Sequence, residues 1–269
     1  MTLTRRQLLA GLGGATIVFG GTALARRPPT FSQYTYAAPT DDTSDAILRI
    51  AWYETRNGTF LENQGGTEDG EEATLDPDVT PEYLLEATER TDVAGPVLSL
   101  SNVLPGDYGT LVVGLEVVEE EAPGPVALWL AGELTESAEN GINETERAAG
   151  DTTPDRGELD EEATIEVWSD NSILGSCDGL RTLDESLRAP IVERDSFSSV
   201  FAPDAAIVTE GVRVFDDCLE PGTLRCVALG WALPESTGNQ VQGDSLSFDF
   251  HFAAGPCEGD SPFLHGGDT

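Results

Sequence analysis

Residues 244–253 read DSLSFDFHFA, and the run alternates without a break. Leu246, Phe248, Phe250 and Phe252 share one parity; Ser245, Ser247, Asp249 and His251 share the other. A period of two belongs to a strand with one buried face and one wetted face. Working outward, six more stretches carry the β-branched and aromatic content of strands: 46–54 (AILRIAWYE), 97–103 (VLSLSNV), 109–118 (GTLVVGLEVV), 126–131 (VALWLA), 163–169 (ATIEVWS) and 225–233 (RCVALGWAL). LPGD at 104–107 supplies a turn. Short helices are predicted over 81–86, with Thr80 as cap, and over 180–188, with Leu180, Leu183 and Leu187 on one stripe. The polar stretch 136–149 reads as a helix or an excursion, and 57–78 as a loop. Many strands, short helical insertions, no βαβ rhythm and no internal repeat predict an all-β fold, an antiparallel, jelly-roll-like β-sandwich.

The chain opens TRRQLL at 4–9 and continues through a Gly/Ala-rich apolar stretch to ALA at 23–25. A basic start, a short apolar core and an A-x-A end form an export signal; the pair Arg5-Arg6 makes it the twin-arginine kind, which carries folded proteins, with cleavage after Ala25. The competing expectation is a retained anchor, because 8–25 sits at the short edge of the roughly 20 residues a span needs. No later run approaches that length, so the expected product is secreted or cell-surface, touching membrane only through an uncleaved signal. The expected organisation is 1–25 signal, 26–45 extended segment, 46–258 β-sandwich and 259–269 flexible tail.

No lysine occurs, and 49 Asp and Glu face 14 Arg, for a formal charge of −35. Such self-repulsion strains a compact state in dilute solution, whereas molar salt shortens the screening length to about 3 Å. The composition points to concentrated brine. It excludes nucleic acid as a partner, which needs a basic footprint, and phosphate loops, which need lysine.

The catalytic inventory is thin. His251 and His265 are the two histidines, and no HExxH, GxSxG or Cys/His metal spacing is present. Alternation predicts that His251 faces solvent and that Trp129, Trp168 and Trp231 join the Phe stripe in the core. Four cysteines in an exported chain suggest two disulfides. Cys218 and Cys226 flank a turn-like segment, which favours their pairing and leaves Cys177 for Cys257. Three pairings are open on sequence. Asn57 and Asn143 head glycosylation sequons. No cofactor is expected except calcium. Acids at Asp151, Asp155, Glu158 and 160–162 precede one strand, Asp170 and Asp178 follow it, and the candidate ligands are Asp160, Glu162, Asp170 and Asp178, without EF-hand spacing.

Several blocks carry a resemblance: SNVLPGD at 101–107, VALWLAGEL at 126–134, AENGINE at 138–144, GEL at 157–159 leading to IEVW at 165–168, CVALGWALP at 226–234, GNQVQ at 238–242 and DSLSFDF at 244–250, ending near Cys257. In this order they resemble the TasA/camelysin-like exported proteins with SipW-type signals, in a salt-adapted archaeal form, over about residues 95–258. The resemblance implies a jelly-roll-like sandwich at the cell surface or in the extracellular matrix. It also implies self-association into biofilm fibres or pilus-like filaments by strand donation, with 31–38 or 46–54 as donor. A camelysin-like peptidase, or a surface module for calcium or polysaccharide, are its alternatives. The chain departs from the pattern at its start, where TFSQY at 30–34 replaces the family's Ala-Tyr-Phe-Ser-Asp and the signal is twin-arginine in form.

Overall fold

The alternating run becomes the backbone of the smaller of two packed sheets. The structure, a computed structural model, describes residues 31–37, 47–61, 80–90, 95–118, 124–172 and 175–265. The signal residues Arg5, Arg6 and Ala25 lie outside them. The first seven strands are β1 (Gln33–Ala37), β2 (Leu48–Arg56), β3 (Thr59–Leu61), β4 (Thr88–Glu89), β5 (Val97–Ser101), β6 (Tyr108–Val117) and β7 (Val126–Ala138). The remainder are β8 (Thr164–Ser169), β9 (Asn171–Ser172), β10 (Gly175–Ser176), β11 (Val192–Ser196), β12 (Val212–Arg213), β13 (Leu224–Ala232) and β14 (Ser245–Pro256).

The larger sheet has the order β11-β8-β13-β6-β2-β1-β4, with β3 paired to β2; the smaller has β12-β7-β14-β5. All pairs are antiparallel except β1 with β4. From β4 to β5 to β6 to β7 to β8 the chain crosses between the two sheets at every step, and it does so again through β11, β12, β13 and β14. The fold is an all-β sandwich with short helices.

Between the sheets lie Leu246, Phe248, Phe250 and Phe252 from β14, facing Ile50 and Trp52, Leu111 to Val117 at alternate positions, and Val227, Leu229 and Trp231. Phe248 packs on Phe197 at 4.9 Å between ring centroids and edge-on to Phe250 at 5.0 Å. Strands β6 and β13 lack a polar face because the larger sheet is covered on both sides. Its outer face carries a second apolar layer of Phe31, Tyr34, Tyr53, Leu84, Val112 and Trp168. Trp231 is also core, while Trp129 is only half-buried.

Several expectations are corrected. Within the extended 26–45 segment, Gln33–Ala37 pairs along its whole length with β2, and Phe31 and Tyr34 are buried. The tail is anchored at least to residue 263, since Ser261 is buried and the Phe263 ring fills the space where a Cβ on Gly211 would stand. Over 180–188 only Leu183–Ser186 is helical, and Leu183 and Leu187 are exposed. Glu185 is the buried member of this turn, accepting from the Thr182 N–H and hydroxyl, so the leucines on the opposite face point to water. Residues Glu82–Leu84 form a 3-10 turn without a side-chain cap from Thr80. In 136–149, β7 runs on to Ala138 and only Glu144–Ala149 is helical.

The disulfide pairing also differs. Cys177 bonds Cys226 and Cys218 bonds Cys257. Sequence proximity misled because Cys226 lies inside β13, on the outer face of its sheet, where it clips the 177–180 loop. Cys218 instead meets the end of β14, where Val126 bridges Leu219.

Phe248→Ala is expected to cost about 3–5 kcal/mol, and Leu187→Ala to stay within about 0.5 kcal/mol of the parent, by denaturant melts in molar salt. Equal costs would contradict the burial assigned here.

Candidate functional site

One end of the smaller sheet gathers acids that the sequence scatters. The register Ser245↔Ala138 in the β7–β14 pair puts Asp244 beside Glu139, one residue beyond each strand. There the chain turns through Asn140 and Gly141, both at positive φ, and Asn140 Nδ2 donates to the Gly243 carbonyl (3.0 Å) and Ser245 Oγ (2.8 Å). Asn143 then caps the helix Glu144–Ala149 by accepting from the Thr145 and Glu146 N–H groups, while Glu146 Oε2 accepts from the Asn143 N–H. This capping box folds Glu146 inward. Gly150 ends the helix at φ +98°, and Asp151 follows.

Five carboxylates converge: Glu139, Glu146, Asp151, Glu158 and Asp244, all buried except the half-buried Glu158. Asp244 Oδ2 accepts from the Glu158 and Leu159 N–H groups at 2.7 and 3.1 Å. Asp151 Oδ1 accepts from the Thr153 N–H at 2.8 Å, and the Thr153 hydroxyl lies between that oxygen and Glu158 Oε1. Glycines permit the approach: a Cβ on Gly243 would stand 3.2 Å from Glu146 Oε1, and one on Gly157 3.0 Å from Asp244 Cγ. No arginine pairs with any of the five among the described residues; Arg147 donates to the Ile142 carbonyl and Arg156 pairs with Glu161. Burial and the neighbouring carboxylates raise Glu139, and burial raises Asp244.

The predicted calcium set is not brought together. Asp160 accepts from Ser137 Oγ near the cage, and Glu162 stands on the same short helix, Leu159–Glu162. Asp170 and Asp178 lie past β8, whose six residues span about 20 Å. They lie beside Glu185: Asp170 Oδ2 accepts from the Gly179 N–H at 2.8 Å, and the Asp170 and Glu185 carboxyls face each other. Burial raises Asp170, Glu185 and Asp178, and the neighbouring acids add to the shift of the first two. Sequence reading named Asp151 and Glu158 within an acidic run but missed Glu139, Glu146 and Asp244; the capping-box spacing Asn143–Glu146 was the one local signal available.

His251 stands on the outer face of the smaller sheet with Asp249 and, across the ladder, Glu133. The sequon asparagines serve local structure: Asn57 turns β2 into β3, accepting from the Tyr108 N–H and donating to Asp107, and Asn143 is the helix cap. At the opposite margin of the fold, Phe31 enters the outer layer of the larger sheet directly against Gly114, where a Cβ would come within 2.6 Å of its ring. Strand β2, the other candidate donor, is flanked by β1 and β6 within the larger sheet.

No family model and no curated protein matches the chain. The two disulfides fit an oxidising compartment, and among the described residues no helix is long and apolar enough to cross a membrane.

Asp170, Asp178 and Glu185 bind protons more tightly folded than unfolded, as does Glu54, which burial pushes up to about 7. Their contribution is greatest below the unfolded carboxylate range near 4 and is lost as pH rises through the raised values. Thermal melts in molar salt are expected to fall between pH 5 and pH 8, and Asp170→Asn to flatten that fall. A melting temperature independent of pH over this range would refute the assignment.

Proposed function

We propose that the protein is a secreted structural subunit of the cell surface or extracellular matrix, exported folded by the twin-arginine route, that assembles into filaments by strand exchange. The acidic, lysine-free surface suits it to brine. The observation carrying the reading is the seat of β1. This strand precedes every other described strand, is bonded through its full length to β2, and is met on its far side only by the two-residue β4. Phe31 and Tyr34 anchor it in the outer apolar layer. Such a strand can give the same main-chain bonds and pocket contacts to a second copy, and head-to-tail exchange that does not close makes a filament. Withdrawal of β2 instead would cut the larger sheet in two, so 31–37 is the donor. The resemblance to matrix-fibre proteins points the same way.

Electron microscopy of the mature chain in molar salt is the test. Filaments are expected for the parent, and a cysteine pair replacing Tyr36 and Arg49, which face each other across the β1–β2 ladder, is expected to lock the strand at home and leave folded monomers. Filaments from the locked chain, or a parent that stays monomeric after prolonged concentration, would overturn the reading.

A further inference from the structure

Glu139 separates the cage from an ordinary acidic surface. Glu139 is 3% exposed, and neither carboxylate oxygen accepts from an N–H or a neutral hydroxyl; its one side-chain partner is the Asp244 carboxyl. Four more buried oxygens in the same condition surround it: Glu146 Oε1, Asp151 Oδ2, Glu158 Oε2 and Asp244 Oδ1. On each of those four side chains the second oxygen is held, by the Asn143 N–H, by Thr153, or by the Glu158 and Leu159 N–H groups. The free oxygens are therefore aimed inward by fixed partners. Buried charges need a counter-charge or a proton, and among the described residues no basic side chain pairs with these five.

The oxygens form two sets that share one member. Ligand atoms of Glu139, Asp151 and Glu158 all lie within 4.8 Å of one another, and so do those of Glu139, Glu146 and Asp244. Oxygens on opposite sides of a calcium ion are separated by up to about 5 Å, twice its bond length, so each trio has the span of one ion. Donors that are all carboxylate, with no His or Cys, select a hard cation over zinc. Side chains from a strand end, a helix, a loop and a second strand tolerate the irregular shell of calcium better than the strict octahedron of magnesium.

We propose that this cage binds two calcium ions, one in each trio, with the two oxygens of Glu139 bridging them. Two divalent ions leave five carboxylates one charge short of balance, whereas a single ion leaves three buried negative charges. The ligands belong to the end of β7, the Glu144–Ala149 helix, the 151–158 loop and the residue before β14. Calcium therefore staples the excursion between β7 and β8 onto the sheet that carries the Phe stripe. The inference is independent of strand exchange, since the cage and β1 lie on different sheets.

Equilibrium dialysis against calcium in molar KCl, after chelator treatment, reads the stoichiometry. Two ions per chain are expected for the parent and none for Glu139→Gln. Asp151→Asn is expected to retain one, and Asp204→Asn, on the exposed surface, to retain both. One ion in the parent, or the same uptake in all four chains, overturns the proposal. Trypsin supplies a readout that needs no variant, because Arg147 and Arg156 are exposed within the excursion. Calcium is expected to slow cleavage at both by tenfold or more while equimolar magnesium does not. Unchanged cleavage, or equal protection by magnesium, also overturns it.

Discussion

The antiparallel pairing of Val126–Ala138 with Ser245–Pro256 is the constraint from which the rest of the molecule follows. Its twelve cross-strand pairs set the parity of β14, and with it the Phe face that fills the space between the sheets. A shift of one residue would turn Phe248 and Phe250 to water, so the hydrophobic term itself holds the register. The same register places Asp244 against Glu139 at one end and brings Cys257 toward Cys218 at the other. A bulge between Ser247 and Phe248 leaves Thr135 unpaired, and its hydroxyl caps the Ser247 carbonyl.

The larger sheet answers a different demand. With apolar layers on both faces it needs a covering, which comes from Phe31, Leu84 and the loop clipped by Cys177–Cys226. Several charges on that side are paired: Glu166 holds Arg181 and Arg194, and Arg49 holds Glu116. The contrast with the carboxylate cage is physical. Where this chain buries acids beside arginines the charges compensate; where it gathers five with no arginine beside them among the described residues, a proton or the proposed cation takes that part.

How much was legible depended on range. The alternation of 244–253, the runs that became β6, β8 and β13, and the LPGD turn, where the Asp107 N–H reaches the Leu104 carbonyl, are local patterns and were readable. Strand β1 fell inside the 31–38 stretch that the resemblance offers as a donor, but its pairing with β2 and β4 was not legible because no local pattern marks a partner. Leu183 and Leu187 were misjudged because helical spacing says nothing about which face is turned inward, and a buried Glu185 decided that. The calcium set failed for a geometric reason: acids adjacent in sequence on either side of β8 are held about 20 Å apart by that strand.

What the sequence determined by itself was the all-β class, the acidic, lysine-free composition and the presence of two disulfides, since alternation, charge and cysteine number are properties of single residues and close neighbours. Tertiary structure alone decided the pairing of those cysteines, the place of β1 and the membership of the cage. Each of these depends on a chain that alternates between sheets, so that partners meet across pairings the sequence does not mark. Glu139 and Asp244 become neighbours only because burying the phenylalanines fixes where β7 and β14 end.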